Sequence, residues 1–96
     1  MKGLLSFSIL WLLKEGDMNG QQLADQLLKR RGKRPTPGTL YPALRELRER
    51  GLVNMQKRGR NTIYSLSPEG RRTVFEFAGY LCEAFHDVFA ESMSRT

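Results

Sequence analysis

The chain contains one cysteine and one histidine in 96 residues, and its longest largely apolar stretch covers only residues 4 to 13. A lone Cys82 excludes an intramolecular disulfide, so nothing argues for an oxidising compartment and a reducing cytoplasm is expected. Cys82 and His86 stand four apart, a spacing that brings two ligands to one metal, but a closed zinc site needs four and no second Cys or His exists. Cys82 is therefore read as a small apolar residue, with no metal and no cofactor. No nucleophile and base stand at a suggestive spacing, and no glycine-rich phosphate loop follows a strand, which argues against an enzyme. The opening "MKGLLSFSILWLL" imitates a signal peptide, yet "KEGDMNG" follows it without a small-residue cleavage site. The stretch also falls well short of the roughly 20 residues that cross a bilayer as a helix. A buried helix is expected there. Acidic residues are the last shortage: ten Asp and Glu against sixteen Lys and Arg leave a net charge of +6, which points to a polyanion such as nucleic acid.

The chain is long enough for one domain with a modest core, one that a partner subunit would help to complete. Residues 4 to 14 carry apolar side chains nearly all round a helix, so that helix must be covered on several sides. Gly16 ends it and "GDMNG" connects it to a second helix, about 20 to 31, with Leu23, Leu27 and Leu28 on one face and a basic last turn. Gly32 and Pro35 break the chain before Thr36 and Pro37, the pairing expected of an N-cap and first helical residue. A third helix then runs to Arg50, with Leu40, Leu44 and Leu47 inward and Gly51 as its stop. Two β-compatible runs, "LVNMQK" and "TIYSLS", flank a four-residue turn "RGRN" and predict a hairpin. A last helix spans about 68 to 92.

The positive charge is concentrated. Residues 29 to 60 hold eleven basic side chains opposed only by Glu46 and Glu49, a net of +9, so the rest of the chain carries −3. The order helix, helix, turn, helix, basic hairpin, helix is that of a winged helix-turn-helix, an α+β class that is mostly α with a small hairpin. Its third helix enters the major groove and its hairpin is the wing. A membrane-facing patch fits less well, because the basic residues lie on three successive elements and not on one amphipathic helix. A winged helix used for protein or RNA contacts is the alternative.

With Leu40 set inward and about 100° per residue, Gly38, Pro42, Arg45 and Glu49 point outward, with Thr39 and Tyr41 beside them. Gly38, Thr39, Pro42 and Arg45 are therefore candidates for the groove and Arg48 for the backbone, while the Thr36 cap and the helix dipole favour a nearby phosphate. Arg45 has Glu49 one turn on as a competing ion-pair partner. Tyr41 either donates to a phosphate or packs on the second helix. Lys57, Arg58 and Arg60 at the hairpin, with Lys33 and Arg34 in the inter-helix turn, complete the expected DNA-binding set. Pro42 fits a helix starting near Thr39 without loss, whereas a start at Thr36 puts it in the interior at the cost of one hydrogen bond.

Two apolar stripes run along the last helix: Val74, Phe77, Leu81, Ala84 and Val88, and one position along, Phe75, Ala78, Cys82, Phe85 and Phe89. Together they are too wide for one seam, so one stripe is expected on the helix's own domain and the other on a second copy. Leu5, Ile9, Trp11 and Leu12 of the first helix, with Val74, Phe77, Leu81, Phe85 and Val88, form the expected dimer interface. A single core helix is the plainer alternative. The division is thus 1–67 for a winged-helix DNA-binding domain, whose first helix also joins the interface, and 68–96 for a dimerisation helix and tail.

The blocks "LLSFSILWLLKEGDMNGQQLADQL", "TPGTLYPALRELRERGLV" and "YSLSPEGR", in this order and spacing, resemble the PadR family of transcriptional regulators over about residues 3 to 72. The resemblance implies a homodimeric winged-helix DNA-binding protein, usually a repressor, whose terminal helix builds the dimer and whose operators are often palindromic. It also implies that a small aromatic effector is a conceivable partner, since some members respond to phenolic acids or drugs. Phe75, Phe77, Tyr80, Phe85 and Phe89 would line its pocket, although phenylalanines at helical spacing are more often core. The chain departs from the family at Gln21, where an aromatic residue commonly follows the glycine, and at Asn61, where a wing arginine is frequent.

Overall fold

A computed structural model describes residues 2–94, in the order α1 (Lys2–Leu13), β1 (Met18–Asn19), α2 (Gly20–Arg31), α3 (Pro37–Glu49), β2 (Val53–Arg58), β3 (Asn61–Leu66) and α4 (Pro68–Ser94). The mostly α architecture with a small antiparallel sheet is the one expected. Because α1 is apolar on nearly every side, it is stable only when enclosed, and α2, α3, α4 and β3 all pack against it. Ile9, Leu12 and Leu13 are at most 2% exposed. Leu5, Ile9 and Leu12 were expected to meet a second copy, but they are buried inside the single chain together with Val74 of α4. What α1 offers outward is Leu4, exposed, and the half-buried rings of Phe7 and Trp11.

The boundaries of α2 follow from its caps. Asn19 accepts from the backbone N–H of Gln22 while the Gln22 side chain accepts from the Asn19 N–H, both at 2.8 Å, a reciprocal capping box. Gly32 closes the other end in the left-handed region at φ 73°, its N–H donating to the Leu28 carbonyl. Gly51, at φ 75°, does the same for α3. Its N–H reaches the Arg48 carbonyl and the Leu52 N–H reaches Leu47, the two bonds of a Schellman motif.

The sheet has the order β1-β3-β2, so the hairpin gains a third strand where the sequence leads one to expect a plain connection. Met18 and Asn19 pair with Tyr64 and Ile63. Two residues are too short to show a strand's alternation, and only the folded chain brings them to β3. The hairpin turn is also tighter than the expected four residues. Pairing continues to Arg58 and Asn61, leaving Gly59 and Arg60 as the loop. Gly59 has φ 62° and no other residue type among those described has positive φ, which is the pattern of a type II′ turn.

At 27 residues α4 is about 40 Å long at 1.5 Å per residue, and only its root belongs to the core. Val74 is fully buried, whereas Phe75, Phe77, Phe85 and Val88 are 44 to 55% exposed. Neither stripe is covered along its length by the helix's own domain, contrary to the expected division of labour, because the domain ends where α4 still continues. A row of rings crosses from α1 to α4: Trp11 with Phe7, Phe7 with Phe77 at 5.2 Å, and Phe77 with Tyr80. The side chain of Phe89 lies outside the described residues.

Truncation in this core should be costly. Leu44→Ala, at a site 1% exposed, is expected to destabilise the chain by about 2–5 kcal/mol in denaturant unfolding; a loss below about 1 kcal/mol would contradict the packing described.

Candidate nucleic-acid interface

Leu40, Leu44 and Leu47 seat α3 on the core at 1 to 4% exposure, which turns the rest of its circumference outward. The helix starts at Pro37, with Thr36 extended before it as N-cap. The cap position is as expected, but the cap hydrogen bond is not formed: the Thr36 hydroxyl donates to the Thr39 hydroxyl at 3.1 Å instead. Thr39 and Leu40 both donate to the Thr36 carbonyl. This start leaves Pro42 in the helix interior, where it has no N–H to offer the Gly38 carbonyl. Gly38 thus keeps both its backbone donor, in the first turn, and its carbonyl outside the regular ladder. It has no side chain to cover them, and a Cβ there would meet nothing within 4 Å.

Gly38, Thr39, Tyr41, Pro42, Arg45 and Arg48 are all exposed. Glu49 does not hold Arg45; the helix-surface pair is instead Glu46 with Arg50 at 2.9 Å, one position along. Among the described residues neither Arg45 nor Arg48 is in an ion pair, and both border a groove floored by Val53, Asn54 and Met55 of β2. A second groove joins α2, α3 and the hairpin. Gln21, Tyr41, Arg60, Asn61, Thr62 and Tyr64 line it, so the two positions where the chain departs from the family pattern face the same hollow. Arg31, Lys33, Arg34, Thr36 and Thr39 line a third, beside the start of α3.

Lys57, Arg58 and Arg60 are exposed at the end of the hairpin, and among the described residues Arg58 alone of the three makes a side-chain hydrogen bond, donating to Gln56 Oε1 at 3.3 Å. Arg34 differs from expectation. Its guanidinium is paired with Asp25 and donates to Gln21 Oε1 at 3.1 Å, which ties the inter-helix turn to α2. Among the described residues Lys33 beside it makes no such contact. Both uncommitted and committed cations are well solvated, so ion pairs among them contribute on the order of 0–1 kcal/mol and leave the surface free to exchange partners.

Of the two roles open to Tyr41, the structure places its ring against α2. A Cβ on Gly20 would lie 2.3 Å from the Tyr41 hydroxyl oxygen and 2.9 Å from the ring carbon bearing it, so residue 20 must be glycine for Tyr41 to lie there. The ring still keeps 43% exposure at the groove. Beneath it, burial raises the Tyr64 phenol above its usual pKa, with Tyr41 adding to the effect and Arg48 opposing it. Tyr64 accordingly stays a neutral O–H donor at the floor of that groove through the physiological range.

The chain matches the model of the transcriptional regulator PadR-like family over residues 9–76. No curated protein matches it significantly. Among solved structures it is similar to RosR of H. salinarum in a complex, at 28% identity over 83% of this chain and 72% of that one, with a TM-score of 0.77. A transcriptional regulator from Clostridium thermocellum is 25% identical over 93% and 89% of the two chains, with a TM-score of 0.78. A PadR-like transcription factor from Bacteroides fragilis shares the fold at a TM-score of 0.82, with 24% identity over 91% and 88%.

The contact between Gly20 and Tyr41 is directly testable. Gly20→Ala should destabilise by about 1–3 kcal/mol through overpacking, and Tyr41→Ala in the same chain should recover most of the loss. Additive losses in this double-mutant cycle would contradict the contact.

Proposed function

The chain belongs to the PadR-like family of transcriptional regulators, and from that premise we propose that it is a cytoplasmic homodimer that binds palindromic operators in double-stranded DNA sequence-specifically, as a repressor. The observation that carries this reading is the surface built around α3, where exposed Arg45 and Arg48, with no ion pair among the described residues, line a groove shared with the hairpin, and Tyr41 lines a second one with Arg60. Cations without protein partners, distributed over a helix and a neighbouring hairpin, match a phosphate backbone followed on both sides of a groove. Gly38 and Pro42 bring backbone, not bulk, to the end of α3 that would meet base edges. Arg45 is the side chain best placed to read a guanine edge, and Arg48, Lys57, Arg58 and Arg60 serve phosphates, with Lys33 from the inter-helix turn.

Support for the dimer comes from Phe75, Phe77, Tyr80, Phe85 and Val88, large apolar side chains exposed along one helix in an aqueous chain. A second copy laid on α4 and on Phe7 and Trp11 would cover them. A small aromatic effector would seat among the same rings. Among the described residues no helix is long and apolar enough to cross a membrane.

Binding to duplex DNA measured by fluorescence anisotropy across a salt series tests the reading. The affinity should fall steeply with salt, and Arg58→Ala with Arg60→Ala should weaken binding to all sequences alike and reduce the salt slope by about 2. Unchanged affinity and slope would remove the wing from the interface, and tight binding to a protein or RNA without duplex affinity would favour the alternative use of the fold. Arg45→Ala should relax preference at one base position, by about 1–3 kcal/mol. An unchanged preference would leave Arg45 as a phosphate contact only.

A further inference from the structure

The root of α4 is held to the end of α3 by an unusually close joint. The Ser67 hydroxyl donates to the Gly51 carbonyl at 2.6 Å and accepts from the Gly70 N–H at 2.9 Å, so one buried side chain caps α4 and grips the loop that ends α3. The Ser67 N–H donates to the Leu52 carbonyl at 3.1 Å. That same carbonyl oxygen lies where a side chain at residue 70 would begin: a Cβ on Gly70 would stand 2.0 Å from it. The Leu52 N–H is itself committed to Leu47 of α3, and Val53 begins β2. The backbone that stops the recognition helix and starts the wing is therefore the backbone against which α4 is seated. One turn further on, Val74 is fully buried and acts as the next fixed point.

We propose that Ser67 and Gly70 are positioning residues that set the angle between α3 and α4, and so the half-site spacing that the dimer accepts on DNA. This rests on the homodimeric DNA-binding reading above. In such a dimer α4 fixes the two copies to each other while α3 engages each half-site, and this joint hydrogen-bonds the root of α4 to the loop that ends α3. Small changes are amplified by length. A displacement on the order of 1 Å at Gly70, with Val74 as pivot roughly 6 Å along the axis, moves the far end of a rigid α4 by up to about 5 Å, comparable to one or two base-pair steps.

The test compares the unaltered chain, Gly70→Ala and Ser67→Ala on duplexes carrying two inverted half-sites with spacers varied one base pair at a time, after sedimentation has identified folded dimers. The half-sites are those the unaltered chain selects. Gly70→Ala should shift the best spacer by about one or two base pairs while the preference within each half-site is unchanged. Ser67→Ala adds no bulk and removes both side-chain hydrogen bonds, so it should flatten the spacing profile even if Gly70→Ala does not fold. A folded dimer of either variant with the spacing profile of the unaltered chain would overturn the inference. Absence of duplex binding by the unaltered chain would instead overturn the reading on which it rests, and the inference with it.

Discussion

The enclosure of α1 is the constraint from which the other placements follow. With Leu5, Ile9, Leu10, Leu12 and Leu13 all buried over nearly half of its circumference, α1 is covered by α2, α3, β3 and the root of α4 at once. Each covering element contributes its own apolar seam, and the seam of α3 is Leu40, Leu44 and Leu47. Burying a leucine fully is worth about 1.5–3 kcal/mol, so these three outweigh the roughly 3 kcal/mol that an interior proline costs and the roughly 1 kcal/mol for a glycine. Packing on α1 thereby frees the outward end of α3 from the need for good helix formers. Gly38 and Pro42 are tolerated there because stability comes from the opposite face.

The same division separates structure from recognition in the charged residues. Glu46 with Arg50 and Arg34 with Asp25 decorate or brace the scaffold, whereas Arg45, Arg48, Lys57 and Arg60 have no ion-pair partner among the described residues. Solvated pairs contribute little to folding, so their arrangement is governed more by what the surface meets than by what the core needs. In a chain with net charge +6, leaving several arginines unpaired around one helix is a cost in self-repulsion that a polyanion would remove.

Local signals made most of the fold legible. The bounds of α2 are legible because glycine and the basic last turn mark its end, and the Asn19–Gln22 capping box is a further local signal, a cap residue with glutamine three places on. The hairpin was legible from its two β-compatible runs, although the paired register extends further toward the turn than composition implied. What stayed hidden depends on tertiary approach. The two-residue strand β1 exists only because β3 lies beside it, and Gly20 and Gly70 look like ordinary helix-start glycines until the Tyr41 ring and the Leu52 carbonyl are seen against them. Helical spacing offered Arg45 a pair with Glu49 and could not show that Glu46 and Arg50 would meet instead. Nor could it show how far along α4 the domain's own core extends: Val74 is inside, and the phenylalanines flanking it are half exposed.

If the exposed surface of α3 and the hairpin reads DNA and the bare face of α4 joins two copies, the molecule carries two identical readers related by a two-fold axis. Selection of bound fragments from random duplex DNA is the most direct measurement of that claim. The expected result is an enriched sequence with inverted symmetry and one preferred separation between its halves, on the order of one helical turn or a multiple of it. Enrichment of no sequence, or of a single half-site without symmetry, would contradict the account.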